Sequence, residues 1–312
     1  MRVFKRSVVV LIAVVVFVSL VAAAFLVPGI KARRTDGERN KVAVIYVDGV
    51  IVGGRGQGGL LGETGGTDAI IKQLHQARDD ASVKAVVLRI NSPGGSAPAS
   101  QEVGTEIKKL RATGKVVVTS MGDTAASGGY WLAAVTERIW ANPATLTGSI
   151  GVYIPYANWQ ELYNKIGIHS EKIKSGPHKD ILSPERPMTP EERAIIQTMV
   201  DDLYGQFVAV VAEGRKMDPA RVRQLADGRI YTGSQAKELG LVDELGTMYD
   251  AIDGAATMAG IPGKPTVKEY GKVSPWSLLF GARDQLDLER LFFRQMRQET
   301  PLTAPLAIPE KW

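Results

Sequence analysis

Apolar residues along this chain fall into three kinds of run. The first, Ser7 to Val27, is 21 residues long and holds no charge, enough for a membrane-spanning helix, which needs about 20 apolar residues. The second kind is short, rich in β-branched residues and bounded by turn formers. Lys41 to Val52, Val83 to Ile90, Lys115 to Ser120, Arg138 to Trp140 and Ser149 to Ile154 belong here and predict strands, the first of them a strand pair or one long strand. The third kind has helical spacing. It predicts helices from Thr67 through Ile70, Ile71 and Leu74, over Gln101–Leu110 and over Asn158–Ile166. Others follow from Thr189 to about Glu213, after Asp218-Pro219, and over Gln235–Leu239 and Met248–Met258. Strand, glycine turn and helix alternate at least three times, which implies an α/β fold with a mostly parallel sheet and helical crossovers.

Local signals sharpen some boundaries. Thr67 is expected to cap its helix, and Thr189-Pro190-Glu191-Glu192 is a capping box with proline at the first helical position. The glycine-rich stretch Arg55–Gly66 predicts a mobile loop, Ser170–Ile173 a short strand, and Ser175–Met188 a polar loop with three prolines. Trp276–Gln298 is amphipathic, and Pro301–Trp312 is expected to be extended.

Charge adds orientation. Residues 1–41 hold 8 Lys/Arg and 2 Asp/Glu, leaving 30 and 31 in the other 271 residues, so the formal net charge of +5 comes from the flanks of the apolar run. The body is near neutral, and a basic groove for nucleic acid is not supported. A cleaved signal peptide has a shorter apolar region, about 7–15 residues, so an uncleaved anchor is favoured. Its short N-terminal tail, left inside, would put residues 31–312 outside the cytoplasm. With no cysteine there is no thiol nucleophile and no thiolate metal site.

Candidate chemistry centres on Gly122–Gly151. Ser127, flanked by Ala126 and Gly128, falls between a predicted strand and a predicted helix. Such a turn exposes a hydroxyl and aims helix-start N–H groups at one point, where an oxyanion could be held; alternatively Ser127 merely caps the helix. The turn Ser92-Pro93-Gly94-Gly95 follows another strand and matches no nucleotide-binding pattern. Its glycine N–H groups, with that of Gly128, are candidate oxyanion donors. A base for Ser127 must come from His75, His169 or His178, none with an orienting carboxylate at a telling spacing, or from a lysine. A free lysine is neutral in only roughly one molecule in two thousand at pH 7, so a lysine base must be shielded from water. Lys172, Lys174 and Lys179 are the candidates.

Four motifs together resemble the signal peptide peptidase A family in its short, membrane-anchored form: Thr124–Tyr130 around Ser127, Asn91–Gly95, Thr147–Val152, and Lys174–Asp180. The resemblance runs from about Lys41 to Gly260. It implies the spiral of strand-strand-helix units shared with the Clp protease subunit and the crotonases. The domains would be an anchor (1–30), a linker (31–41), a serine peptidase domain (42–272) and a C-terminal amphipathic helix and tail (273–312). It further implies a Ser-Lys dyad: Ser127 as nucleophile, Lys179 as general base supplied by a neighbouring subunit of a homo-oligomeric ring, and Ser149 holding the lysine amine. Gly94 or Gly95, with Gly128, would be the oxyanion donors. No cofactor or metal is implied. The expected partners are remnant signal peptides and, through residues 7–27, the lipid of a plasma (inner) membrane spanned once. A crotonase-type acyl-CoA enzyme and a non-catalytic membrane scaffold of the same fold are the competing expectations.

Overall fold

The computed structural model describes residues 40–55, 57–59, 62–64 and 66–271. The apolar run 7–27 and the tail 273–312 lie outside them. Among the described residues no helix is long and apolar enough to cross a membrane.

In chain order the elements are β1 (Lys41–Asp48), β2 (Gln57–Gly59), β3 (Gly62–Thr64), α1 (Thr67–Asp79), β4 (Val83–Ser92), α2 (Ala97–Ala112), β5 (Val116–Ala126), α3 (Gly128–Ala134), β6 (Ile139–Ala141) and β7 (Leu146–Gly148). Then come α4 (Gln160–Lys165), α5 (Pro190–Arg215), α6 (Pro219–Leu225), β8 (Ile230–Thr232), α7 (Gly233–Glu238), β9 (Glu244–Leu245), α8 (Met248–Met258) and β10 (Thr266–Glu269). Eight strands form one sheet in the order β10-β1-β4-β5-β6-β9, with β7 on β5 and β8 on β7. Every pairing in it is parallel except β7 with β8. This mixed architecture fits the expected Clp protease/crotonase-like fold.

The sheet is buried on both faces, which is why its strands carry continuous apolar runs. Alternation along β1 divides the core. Ala43, Ile45 and Val47 join the larger cluster, with side chains from α1, α2, α3 and α5. Val42 and Val44 point the other way and join Val87, Val118 and Trp140 against Ala251, Ile252, Ala255 and Ala256 of α8. The helix α5 starts at the expected capping box: Thr189 Oγ1 accepts from the Glu192 N–H, and the Glu192 carboxylate accepts from the Thr189 N–H.

Four local expectations are corrected. Gly66, not Thr67, stands at the N-cap of α1; Thr67 is the first helical residue and makes no cap bond. Arg55–Gly66 carries the β2–β3 hairpin rather than only loop. Ser170–Ile173 is not a strand, because none of the described residues pairs with it and its side chains are exposed. The strand expected over Ser149–Ile154 lies earlier, at Leu146–Gly148, where β5 and β8 both supply partners.

Candidate active site

The strand β5 is built in two halves. Its first half pairs with β4 as far as Ile90 opposite Met121; the register then shifts and resumes with Ser92 opposite Ala125. Asn91 fills the irregularity, its Oδ1 accepting from the Thr124 N–H at 3.1 Å. The second half runs beside β7, with Ala126 opposite Gly148. A register shift of this kind re-aims a strand, and here it delivers Ser127 to the start of α3.

Ser127 has φ 51° and ψ −121°. A positive φ in a residue with a Cβ costs of order 1–3 kcal/mol and persists only where its surroundings fix it. They do so on both sides: its N–H donates to Gly148 O at 2.8 Å, and its C=O accepts from the Trp131 N–H at 2.9 Å. The bland reading of Ser127 as a cap fails, since its side chain makes no cap hydrogen bond. Among the described residues its hydroxyl has no partner, and it faces a cavity of about 280 Å³. Pro98, Trp131, Val152, Ile154 and Phe207 are among the lining residues, and no charged side chain is. Trp131 and Phe207 meet in the cavity wall with ring centroids 5.0 Å apart.

The glycine turn after β4 stands directly against this serine. A Cβ on Gly94, at φ 100°, would lie 2.6 Å from the Ser127 Cβ and 2.7 Å from Gly128 N, so only glycine permits the approach. Ile51 pins the turn from outside: its N–H donates to Gly94 O at 2.9 Å and its C=O accepts from the Ser96 N–H at 2.8 Å. The three candidate donors are not equivalent. The Gly94 N–H already donates to Ser92 Oγ at 3.1 Å. The Gly95 N–H has no acceptor among the described residues. It lies within 3.3 Å of where a Cβ on Gly128 would stand. Gly128 is the first residue of α3, whose N–H has no carbonyl one turn back. The role of Ile51 escaped the sequence reading because its partner Gly94 is 43 positions away; that of Ser92, only two residues from Gly94, escaped it because the direction of its hydroxyl is set by the fold.

Ser149 sits one residue beyond the carbonyl that fixes Ser127. It too has positive φ, 50°, and its N–H donates to Arg229 O at 2.8 Å. Its hydroxyl is free among the described residues. Lys179 is not brought to Ser127 within the single chain: it is exposed, between α4 and α5, and no lysine lines the cavity. The three lysines of this segment differ, however. Lys172 pairs with Glu185 and Lys174 with Asp180, each at 2.6 Å, whereas Lys179 has no ion pair among the described residues. Asp180 therefore does not pair with its neighbour Lys179. Lys115, whose amine burial pushes below the usual lysine range, is spent on the carbonyls of Ala77, Arg78 and Asp80, at the opposite end of β5 from Ser127.

No histidine reaches the cavity. His75 pairs with Glu106 at 2.7 Å, His178 lies 3.5 Å from Glu191, and His169 is exposed. Among the described residues no three His, Cys, Asp or Glu side chains gather as a metal site would require.

Residues 109–261 match the family described as peptidase family S49. A protein of Synechocystis sp., whose name ascribes it a protease activity, is 45% identical over 223 residues, covering 72% of this chain and 76% of that one. Protease 4 of Salmonella typhi is 42% identical over 70% of this chain, which spans only 34% of its length. An Enterococcus faecium relative named for signal peptide peptidase SppA is 42% identical, over 70% of this chain and 64% of its own. The family match takes in Ser127, Ser149 and Lys179 alike, and identity at this level extends across three quarters of the Synechocystis protein: the chain belongs to peptidase family S49.

Proposed function

We propose that this chain is a membrane-anchored serine endopeptidase that cuts apolar peptides, remnant signal peptides among them, with a Ser127/Lys179 dyad. One observation carries the reading: Ser127 is held at a strained φ, its hydroxyl unpartnered over an uncharged cavity, beside two uncommitted backbone amides.

In this reading Ser127 Oγ attacks the scissile carbonyl and its proton passes to the neutral Lys179 amine. The oxyanion is held by the N–H groups of Gly95 and Gly128, while Gly94 contributes closeness rather than a donor. A preformed donor of this kind is worth about 10²–10³ in rate. Lys179 then protonates the leaving amine, and water releases the acyl group from Ser127. The cavity walled by Trp131 and Phe207 takes an apolar side chain beside the cut. Ser149, one residue past the Ala126–Gly148 pairing of β5 with β7 and with its hydroxyl free among the described residues, orients the arriving amine in this reading.

Lys179, exposed in one chain, is supplied by a neighbouring copy in a ring. Supporting this, its segment also exposes Tyr153, Trp159, Leu162, Ile166, Ile168 and Ile173, more apolar surface than a solvated arm needs. Packing that surface against a second copy would strip water from the amine and favour its neutral form. Residues 7–27 would hold the ring on a plasma membrane, catalytic domain outside the cytoplasm.

Mixed oligomers test the assignment. Ser127→Ala and Lys179→Ala proteins should each be inactive, and each should still assemble. Co-assembled, they should recover part of the cleavage of an apolar fluorogenic peptide. Activity in Lys179→Ala alone would refute the dyad, and no recovery under proven mixing would refute a shared site.

A further inference from the structure

The segment that carries Lys179 is gripped by one guanidinium. Arg186 Nε donates to Asp180 Oδ2 at 2.9 Å and its Nη2 to Asp180 Oδ1 at 2.8 Å. On its other edge Nη1 donates to Glu192 Oε2 at 2.8 Å and Nη2 to Glu192 Oε1 at 2.5 Å. Glu192 is only 2% exposed, and its Oε2 also accepts the Thr189 N–H at 2.9 Å. Consecutive turns fold the backbone around Lys179: its N–H donates to Gly176 O at 3.3 Å, the Ile181 N–H to His178 O at 3.1 Å and the Ser183 N–H to Asp180 O at 3.0 Å. One planar fork therefore joins the residue beside Lys179 to the buried Glu192 in the otherwise exposed first turn of α5. A lysine could not make both bidentate contacts.

The charges around Lys179 are disposed to match. Lys174 takes a share of Asp180 Oδ1 at 2.6 Å, Lys172 takes Glu185, and Glu191 lies by His178. Asp180, Glu185 and Glu191 thus each have a partner other than Lys179. Without Arg186, Asp180 would keep only Lys174 as a side-chain partner among the described residues, and an ion pair with the adjacent Lys179 would favour the charged amine.

We propose that Arg186 is a positioning residue for Lys179: it fixes the 176–183 turn to α5 and keeps the Asp180 carboxylate off the neighbouring amine. The inference rests on Lys179 being the general base. It concerns an arginine that touches neither substrate nor Ser127.

Full-length Arg186→Ala and Arg186→Lys proteins, compared as assembled rings, test it. A misplacement of about 1 Å at a reacting group costs roughly 10²-fold, so kcat per assembled ring should fall about that far in Arg186→Ala, with KM within about threefold of the parent. Arg186→Lys should fall nearly as far. Added guanidinium ion should raise kcat of Arg186→Ala by about tenfold or more and leave Lys179→Ala inert. A merely structural arginine would lower the melting temperature and the assembled fraction, with kcat per ring unchanged, and that result overturns the proposal. Failure of both variants to assemble also overturns it, since the fork would then serve the interface rather than the lysine. An active Lys179→Ala protein sinks the dyad itself; an inactive one beside a fully active Arg186→Ala sinks only the positioning role.

Discussion

Replacing Gly94 by alanine probes the site without touching any group that takes part in the reaction. The new Cβ would stand 2.6 Å from the Ser127 Cβ, 2.7 Å from Gly128 N and 2.9 Å from Ala126 O. An ordinary carbon contact is about 3.5–4.0 Å, so the serine and the glycine turn must part by about 1 Å. Two of the three atoms it meets are backbone, and the turn is held from behind by Ile51, so no flexible side chain can absorb the shift. The φ of 100° adds a further cost, about 1–2 kcal/mol for a residue with a Cβ. Displacement of about 1 Å between nucleophile and oxyanion donors should lower kcat by roughly 10²-fold. KM should change less than kcat, because Leu203 and Phe207, which wall the cavity from α5, stay in place although Gly95, Ser127 and Gly128 shift. Gly114→Ala separates clash from strain: Gly114 has φ 84° with nothing within 4 Å of its Cβ position, so it should lose only stability. The assay is steady-state cleavage of an apolar fluorogenic peptide, normalised by active-site labelling with a serine-reactive probe, with melting followed in parallel. Gly94→Ala activity within about fivefold of the parent, with Ser127→Ala inert, would refute the packing argument and with it the placement of Gly95 and Gly128 as donors.

Two further outcomes follow from other parts of the site. Trp131→Ala removes a side chain that is 6% exposed and packed against Phe207 with the rings tilted at 43°; it should cost about 3–5 kcal/mol of stability and move cleavage toward bulkier apolar side chains, and an unchanged preference in a peptide library would exclude this cavity as the subsite. Hydrogen bonds from Arg186, and then from the Thr189 N–H, hold the Glu192 carboxyl down to about 2 from its ordinary 4.5; Arg186 and then Lys174 hold Asp180 well below the usual range. Carboxyls with lowered folded pKa values stabilise the fold above their unfolded values and lose that contribution as pH falls toward the folded ones. The urea midpoint should therefore be flat from about pH 7 to 5 and decline below about pH 4.5, with a shallower decline in Arg186→Ala; identical slopes would show that the fork does not couple to folding.

Much of this protein could be read from local pattern. The apolar, β-branched runs in Lys41–Val52 and Val83–Ile90 predict strands because a sheet covered on both faces buries both sets of side chains, and β1 and β4 formed there. The Thr189–Glu192 box starts a helix because its partners lie three residues apart, within reach of a sequence reading. Ser127 at a strand-to-helix turn and two glycines after another strand were visible for the same reason: the constraint that selects them is the backbone at that very position. What the tertiary structure decided depends on partners far along the chain. The strand expected at Ser149–Ile154 formed at Leu146–Gly148 because β5 and β8 offer hydrogen bonds there. Gly94 and Gly95 are indistinguishable in sequence, yet Ser92 Oγ takes one N–H and leaves the other. Lys172, Lys174 and Lys179 look alike as letters, and only the folded segment, through Glu185, Asp180 and Arg186, shows which amine has no carboxylate. Periodicity reports which face of an element is buried; hydrogen bonds and ion pairs are assigned by long-range proximity, which only the fold supplies.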